Sequence, residues 1–311
     1  MAKSRITFNR WAHIRRTTWP FQVYKKYNEE LSDFLWVQSP IQQFIFSRLQ
    51  KESATLTDDC SKYLKFPPQC HNFTDLTSWK VTYRQFEKWI YLNCIMALSS
   101  NFETYLNAVI SLAIESDPGL LLGAPKSIDG AKLLKSQSLN KTSYNQQIKS
   151  CTSGTWPNRM VAFKKLFGSV PTIMEAELGS LERLRTLRNK VGHAFGRDIE
   201  EAHSFEVNTI LPMQTIQLKT LIKHLNKTYD IAIAIDKFLL DNHIGEFQDI
   251  IAYHKLYPSL DSALPISEKA ARFKKMIGKI DTQKGKTYCK GLAQYYLSLI
   301  HISEPTRPEP I

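Results

Sequence analysis

Apolar residues along this chain recur at intervals of three and four, the spacing of helices with one buried face. From Val81 to Asp117 no glycine or proline interrupts the pattern, and Phe86, Trp89, Ile90, Leu92, Ile95 and Met96 lead into Phe102, Leu106, Val109 and Ile110. That run predicts one very long helix, or two joined at Ser99-Ser100-Asn101, stopped by Pro118-Gly119. Before it, residues 20–52 read as helix with a break at Pro40, and 53–80 as a polar connection containing Pro67-Pro68. After it, residues 119–156 read as loop-rich, with a short helix near 143–150; a loop of that length in a compact domain is commonly functional. Pro157 opens a helix that Gly168 ends, a long helix follows from Met213 to Asn242, and Gly245 starts a shorter one that stops before Pro258. The run Ile231-Ala232-Ile233-Ala234-Ile235 looks β-like by itself, but Leu218, Leu221, Ile222, Leu225 and Phe238 around it keep helical spacing. The predicted fold class is all-α, with no internal repeat.

One predicted helix carries chemistry. It starts at Thr172-Ile173-Met174-Glu175, which reads as a capping box after Pro171, and stops near Gly196, a C′ glycine. Leu181, Leu184, Leu187, Val191 and Ala194 form its apolar stripe; Arg185, Asn189 and His193 fall opposite, with Arg188 at the border. Gly179 and Gly192 each cost about 1 kcal/mol relative to alanine, and the bare Cα of Gly192 leaves room for another helix or a ribose-phosphate.

Within Leu187-Arg188-Asn189-Lys190-Val191-Gly192-His193, the set R-N-x-x-x-H holds what metal-free RNA cleavage needs. The 2′-hydroxyl must lose a proton, the 5′-oxygen must gain one, and charge on the phosphorane must be met. An imidazole suits proton transfer near neutrality, which gives His193 its role. The planar fork of Arg188 suits the scissile phosphate. Asn189, four residues from His193 and on its face, orients the imidazole or bonds the phosphate. Arg185, Lys190 and Arg197 flank the motif as further contacts to RNA. The competing account is a solvated last turn whose Arg, Lys and His complement the helix dipole.

The motif resembles the R-N-x-x-x-H signature of the HEPN superfamily. The long helix carrying Asn101-Phe102-Glu103-Thr104-Tyr105-Leu106 resembles the family's earlier helix, and the resemblance covers roughly residues 80–245. It implies an up-down helical bundle over 80–245; charge and spacing make 1–79 and 246–296 basic helical segments on either side. The implied activity is that of a homodimeric, metal-independent endoribonuclease, in which two motif helices line one cleft and the products are a 2′,3′-cyclic phosphate and a 5′-hydroxyl. Glu103 becomes the acidic residue that contacts the motif's Arg or His. The implied setting is a toxin or anti-phage effector, restrained by an antitoxin or a nucleotidyltransferase partner. A HEPN-like module that binds RNA or a protein without cutting is the alternative.

Charge adds to this picture. The 311 residues carry a formal net charge of +12, and 43% are hydrophobic, enough for a substantial core. Residues 1–30 hold seven cations against Glu29 and Glu30; residues 266–296 hold eight against Glu268 and Asp281. Both ends therefore read as electrostatic grips for a polyanion such as RNA. Trp11, Trp19, Phe21, Tyr24 and Tyr27 are interleaved with the first set and are read as packing in preference to base stacking, with membrane-surface binding as a competing use. No run reaches the length of a membrane span and no secretory leader is evident, so a cytoplasmic protein is expected.

Cys60, Cys70, Cys94, Cys151 and Cys289 include no C-x-x-C pair, and Cys60 with Cys70-His71 is poor zinc spacing, so reduced thiols are expected. His203, His224, His243 and His254 fit no ligand pattern. No P-loop, dinucleotide fingerprint or nucleophile elbow is present, and neither a cofactor nor a metal is expected. Finally, Leu297 to Arg307 resemble the translated read of a transposon-end sequencing adaptor, which implies a non-native tail over 297–311 and removes His301 from any site.

Overall fold

The computed structural model describes residues 7–69, 73–136, 144–204, 206, 208–281 and 284–299. Among the described residues there is no strand, and the fold is all-α. In chain order the helices are α1 (Trp19–Lys51), α2 (Leu76–Ser116), α3 (Gly130–Lys135), α4 (Asn145–Thr152), α5 (Trp156–Phe167), α6 (Thr172–Ala176), α7 (Leu178–Ala194), α8 (Ile199–Ala202), α9 (Leu218–Leu239), α10 (Phe247–Leu256), α11 (Ile266–Ile280) and α12 (Lys286–Ser298).

Four sequence expectations change. Helix α1 runs through Pro40 without ending: proline deletes one backbone bond, and the anchoring residues Phe21, Tyr24, Leu31 and Leu35 all precede it. Helix α2 is single and begins earlier than expected, where Asp75 accepts from the Ser78 amide at 2.7 Å; Ser99, in the middle, is buried without breaking it. The capping box at Thr172 does not form, because Thr172 is already helical and Glu177 (ψ 13°) separates α6 from α7. The carboxylate of Glu177 pairs with Lys227 of α9, which holds its carboxyl below the ordinary range. Helix α9 starts at Leu218, not Met213, and passes into a π-type turn over Leu240–Ile244 that Gly245 ends.

The chain forms two compact units, each assembled from segments distant in sequence: Met1–Gln22, Tyr105–Glu175 and Ala232–Ile311 in the first, Val23–Thr104 and Ala176–Ile231 in the second. The first has a core rich in Phe163, Phe247, Tyr253, Phe273, Tyr288 and Tyr296. Threaded against it is the stretch before α1. Arg10, 5% exposed, gives its Nε to Asp129 at 3.0 Å and its terminal nitrogens to the carbonyls of Ile244 (2.8 Å) and Ser116 (3.0 Å). Arg15, equally buried, pairs with Asp249 and lies 3.0 Å from Asp281. Gly245 (φ 53°) makes room for this stretch: a Cβ there would lie 2.4 Å from the Arg10 carbonyl.

The expected amino-terminal grip is thus corrected in part. Arg10 and Arg15 are internal counter-ions, and a charge neutralised inside the protein is not offered to RNA. Phe21 and Tyr24 are buried, as packing requires, whereas Tyr27 is exposed.

In the second unit Leu31, Leu35, Leu92, Ile95, Leu98, Leu184, Val191 and Leu221 form one cluster drawn from α1, α2, α7 and α9. No helix among the described residues is long and apolar enough to cross a membrane. Cys60, Cys94, Cys151 and Cys289 are buried free thiols, and burial pushes Cys151 up to about 12 and Cys289 up to about 11. Cys70, His71 and residues 300–311, including His301, lie outside the described residues.

Asp236 yields a pH prediction. It accepts from the Thr18 amide (2.9 Å) and hydroxyl (2.5 Å), yet burial pushes its carboxyl up from 3.8 to about 6. The folded state therefore holds this proton more tightly than the unfolded chain. Its favourable contribution is complete below pH 4 and is lost as pH rises through 6, by about 3 kcal/mol in total. In chemical denaturation, the stability of wild type minus that of Asp236→Asn should fall by that order between pH 4 and pH 7; a difference constant with pH refutes the assignment.

Candidate active site on the motif helix

Helix α7 lies in the second unit, and its register sets which side chains meet solvent. Leu181, Leu184 and Val191 are buried and Leu187 is partly so; the side chain of Ala194 lies outside the described residues. At 100° per residue, Arg185, Asn189, His193 and Lys190 share the opposite arc, and Arg188 sits at its edge. His193 and Lys190 are exposed, while Arg188 and Asn189 are half-buried.

Two interactions organise the motif. Arg188 donates to Asn189 Oδ1 at 3.2 Å, and its other terminal nitrogen lies 3.8 Å from Glu103 Oε2 on α2. Phe102 and Leu106, buried on either side of Glu103, fix the helical phase that turns Glu103 toward α7. With side chains 40% and 29% exposed, this pair contributes under about 1 kcal/mol to stability. Its effect is orientation: it holds the guanidinium beside Asn189. His193 is exposed and has no hydrogen-bond partner among the described residues, one turn beyond Asn189.

The flanking cations differ from one another. Arg185 is tied to Glu182 (2.9 Å from Nε), and Arg197 donates to the Leu211 carbonyl at 3.0 Å. Lys190 and Arg197 line a cavity of about 430 Å³ that Asp198 and Glu200 also line, so its charge is mixed. Arg188, Asn189 and His193 do not line that cavity.

The end of α7 is built in an unexpected way. Phe195 (φ 54°, ψ 41°), not glycine, is the first left-handed residue, and Gly196 (φ 73°) is the second. The Phe195 ring stacks on Trp89 of α2, 5.8 Å between centroids and 18° between planes, and this contact offsets the cost of the left-handed backbone. Gly196 then accepts from the Gln214 amide at 2.8 Å, and a Cβ on it would lie 2.9 Å from the Gln214 Cβ. Gly192 is different: a Cβ there would meet only Met96 Cε, at an ordinary 3.6 Å. No helix of this chain makes a close approach at Gly192 among the described residues.

Trp89 also continues a row of rings along α2. It stacks on Phe86 (6.1 Å, 14°), and Trp79 stacks on Tyr83 (5.2 Å, 28°). Phe86 and Trp89 are 48% and 44% exposed. The signal was the spacing of 79, 83, 86 and 89, too many rings for one stripe already filled by Leu92, Ile95 and Leu98.

Neither a protein-family model, nor a curated protein, nor a solved structure matches the chain.

The two glycines give opposite expectations. Gly196→Ala should lose about 1 to 3 kcal/mol, from a left-handed backbone and a clash together, whereas Gly192→Ala should gain up to about 1 kcal/mol. Urea midpoints of the two variants test this, and equal shifts in one direction contradict the account.

Proposed function

We propose that the chain is a metal-independent endoribonuclease that cleaves RNA by attack of the 2′-hydroxyl on the adjacent phosphate. The observation that carries this reading is the grouping of Arg188, Asn189 and Glu103 within contact distance, one helical turn from a solvent-facing His193. His193 takes the proton from the 2′-hydroxyl or returns one to the leaving 5′-oxygen. Arg188, its fork steadied by Glu103 and Asn189, meets the charge that builds on the phosphorane. One imidazole cannot serve as base and acid on opposite sides of the phosphate in a single pass, so a second copy supplies the other. Phe34, Trp36, Val37, Ile41 and Phe44, all exposed along α1, give two copies apolar area to bury. The toxin or anti-phage role follows the family resemblance.

With RNA in EDTA, wild type should leave 2′,3′-cyclic phosphate ends. His193→Ala should lower the rate by about 10² to 10⁴ without changing the thermal melt, and Arg188→Ala by a comparable factor. RNA bound but uncut by wild type points to the non-catalytic module. Cleavage undiminished in His193→Ala removes the proposal.

A further inference from the structure

Helices α11 and α12 of the first unit pack with a cavity of about 880 Å³ between them. Five lysines line it: Lys274, Lys275 and Lys279 from one face of α11, Lys286 and Lys290 from the start of α12; no carboxylate does, and the floor at Ala270 is apolar. Among the described residues none of the five has an acidic partner within 4 Å; Lys275, Lys279, Lys286 and Lys290 are exposed and Lys274 is half-buried. Four buried cations of this unit contrast with them. Arg10 and Arg15 are paired, Lys284 lies 3.6 Å from Asp249, and Lys269 donates to the Ser262 carbonyl at 2.8 Å. The fold thus neutralises its internal cations and leaves a set of five around one concavity.

Like charges spaced four apart, as in 275/279 and 286/290, disfavour their own helices, and gathering two such pairs at one cavity compounds the repulsion. The arrangement is relieved by a ligand carrying several negative charges in a row. Ammonium groups on flexible stems act as adaptable point charges for phosphate, without the planar geometry that a carboxylate calls for. The volume suits a small polyanion or a short length of strand, and the apolar floor accommodates a base or sugar.

We propose that this groove binds closely spaced phosphates, carried either on a free polyphosphate or on the backbone of a single RNA strand. The RNA source rests on the function proposed above; the polyphosphate source does not. The test uses the full chain, with inorganic triphosphate followed by calorimetry and a 2′-O-methylated single-stranded RNA followed by anisotropy, a strand that 2′-hydroxyl attack cannot cut. The combined variant Lys275→Gln, Lys279→Gln, Lys290→Gln changes only exposed side chains, and an unchanged circular dichroism melt verifies its fold. Wild type is expected to bind at least one probe, and the variant to bind it about tenfold or more weakly. For RNA, the slope of log affinity against log salt should shrink by about 2, from roughly 0.7 per lost contact. Arginine at the same three positions should restore binding. Loss with triphosphate alone assigns the free ligand; loss with RNA, and its displacement by triphosphate, assigns the strand. His193→Ala should leave both probes bound, so a failed cleavage assay and a failed groove are told apart. Binding of neither probe by wild type, equal binding by wild type and variant, or a difference confined to acidic phospholipid vesicles overturns the proposal.

Discussion

The first unit depends on two guanidinium groups taken out of water. Arg10 reaches Asp129, the Ser116 carbonyl at the end of α2 and the Ile244 carbonyl in the π-type turn, while Arg15 bridges Asp249 of α10 and Asp281 beyond α11. A buried charge left without its partner costs several kcal/mol. Asp129 and Asp249 have further partners in Tyr295, Tyr288 and Lys284, but only the stretch before α1 brings each of them a guanidinium. Glu246 shows the same constraint: burial, and then the charge of Asp249, push its carboxyl up, and its contacts come from the Ile14 amide (2.5 Å) and the Tyr288 hydroxyl (2.7 Å).

This separates two kinds of basic residue that a formal charge of +12 treats alike. Arg10, Arg15, Lys269 and Lys284 hold helices together and contribute little to the outer field. Lys274, Lys275, Lys279, Lys286 and Lys290 are left facing a cavity, and Lys190 and Arg188 lie at or beside the motif. Arg10 and Arg15 are thus withdrawn from the field that a polyanion would meet, while five lysines of residues 266–296 concentrate it around one cavity.

Much of the helical order was legible because its signal is local. Gly168 in a left-handed cap (φ 80°), the uninterrupted α2, and the inward phase of Leu181, Leu184 and Val191 all follow from spacing or from the conformational range of one residue type. What was not legible depended on tertiary partners. Nothing near Thr172 announces that Glu177 will pair with Lys227 and split the helix. Phe195 adopts a backbone that its own chemistry disfavours because Trp89, far back in the chain, supplies a face for its ring. The site divides along the same line: Asn189 and His193 are related by helical repeat, which the sequence states outright. The Glu103 contact to Arg188 reached the sequence reading only through resemblance, since spacing says nothing about which helices become neighbours.

Gly245 gives the opening residues an importance beyond their number. Its missing side chain is a slot cut for a strand of backbone that arrives from the other end of the polypeptide. A protease clipping ahead of Thr18, or an expression design that trims the start as dispensable, would empty that slot and strand Asp129, Asp249 and Glu246 in the interior with too few counter-charges. The stretch before α1 is a keystone, gripped by Asp129, Asp249 and the π-type turn around it.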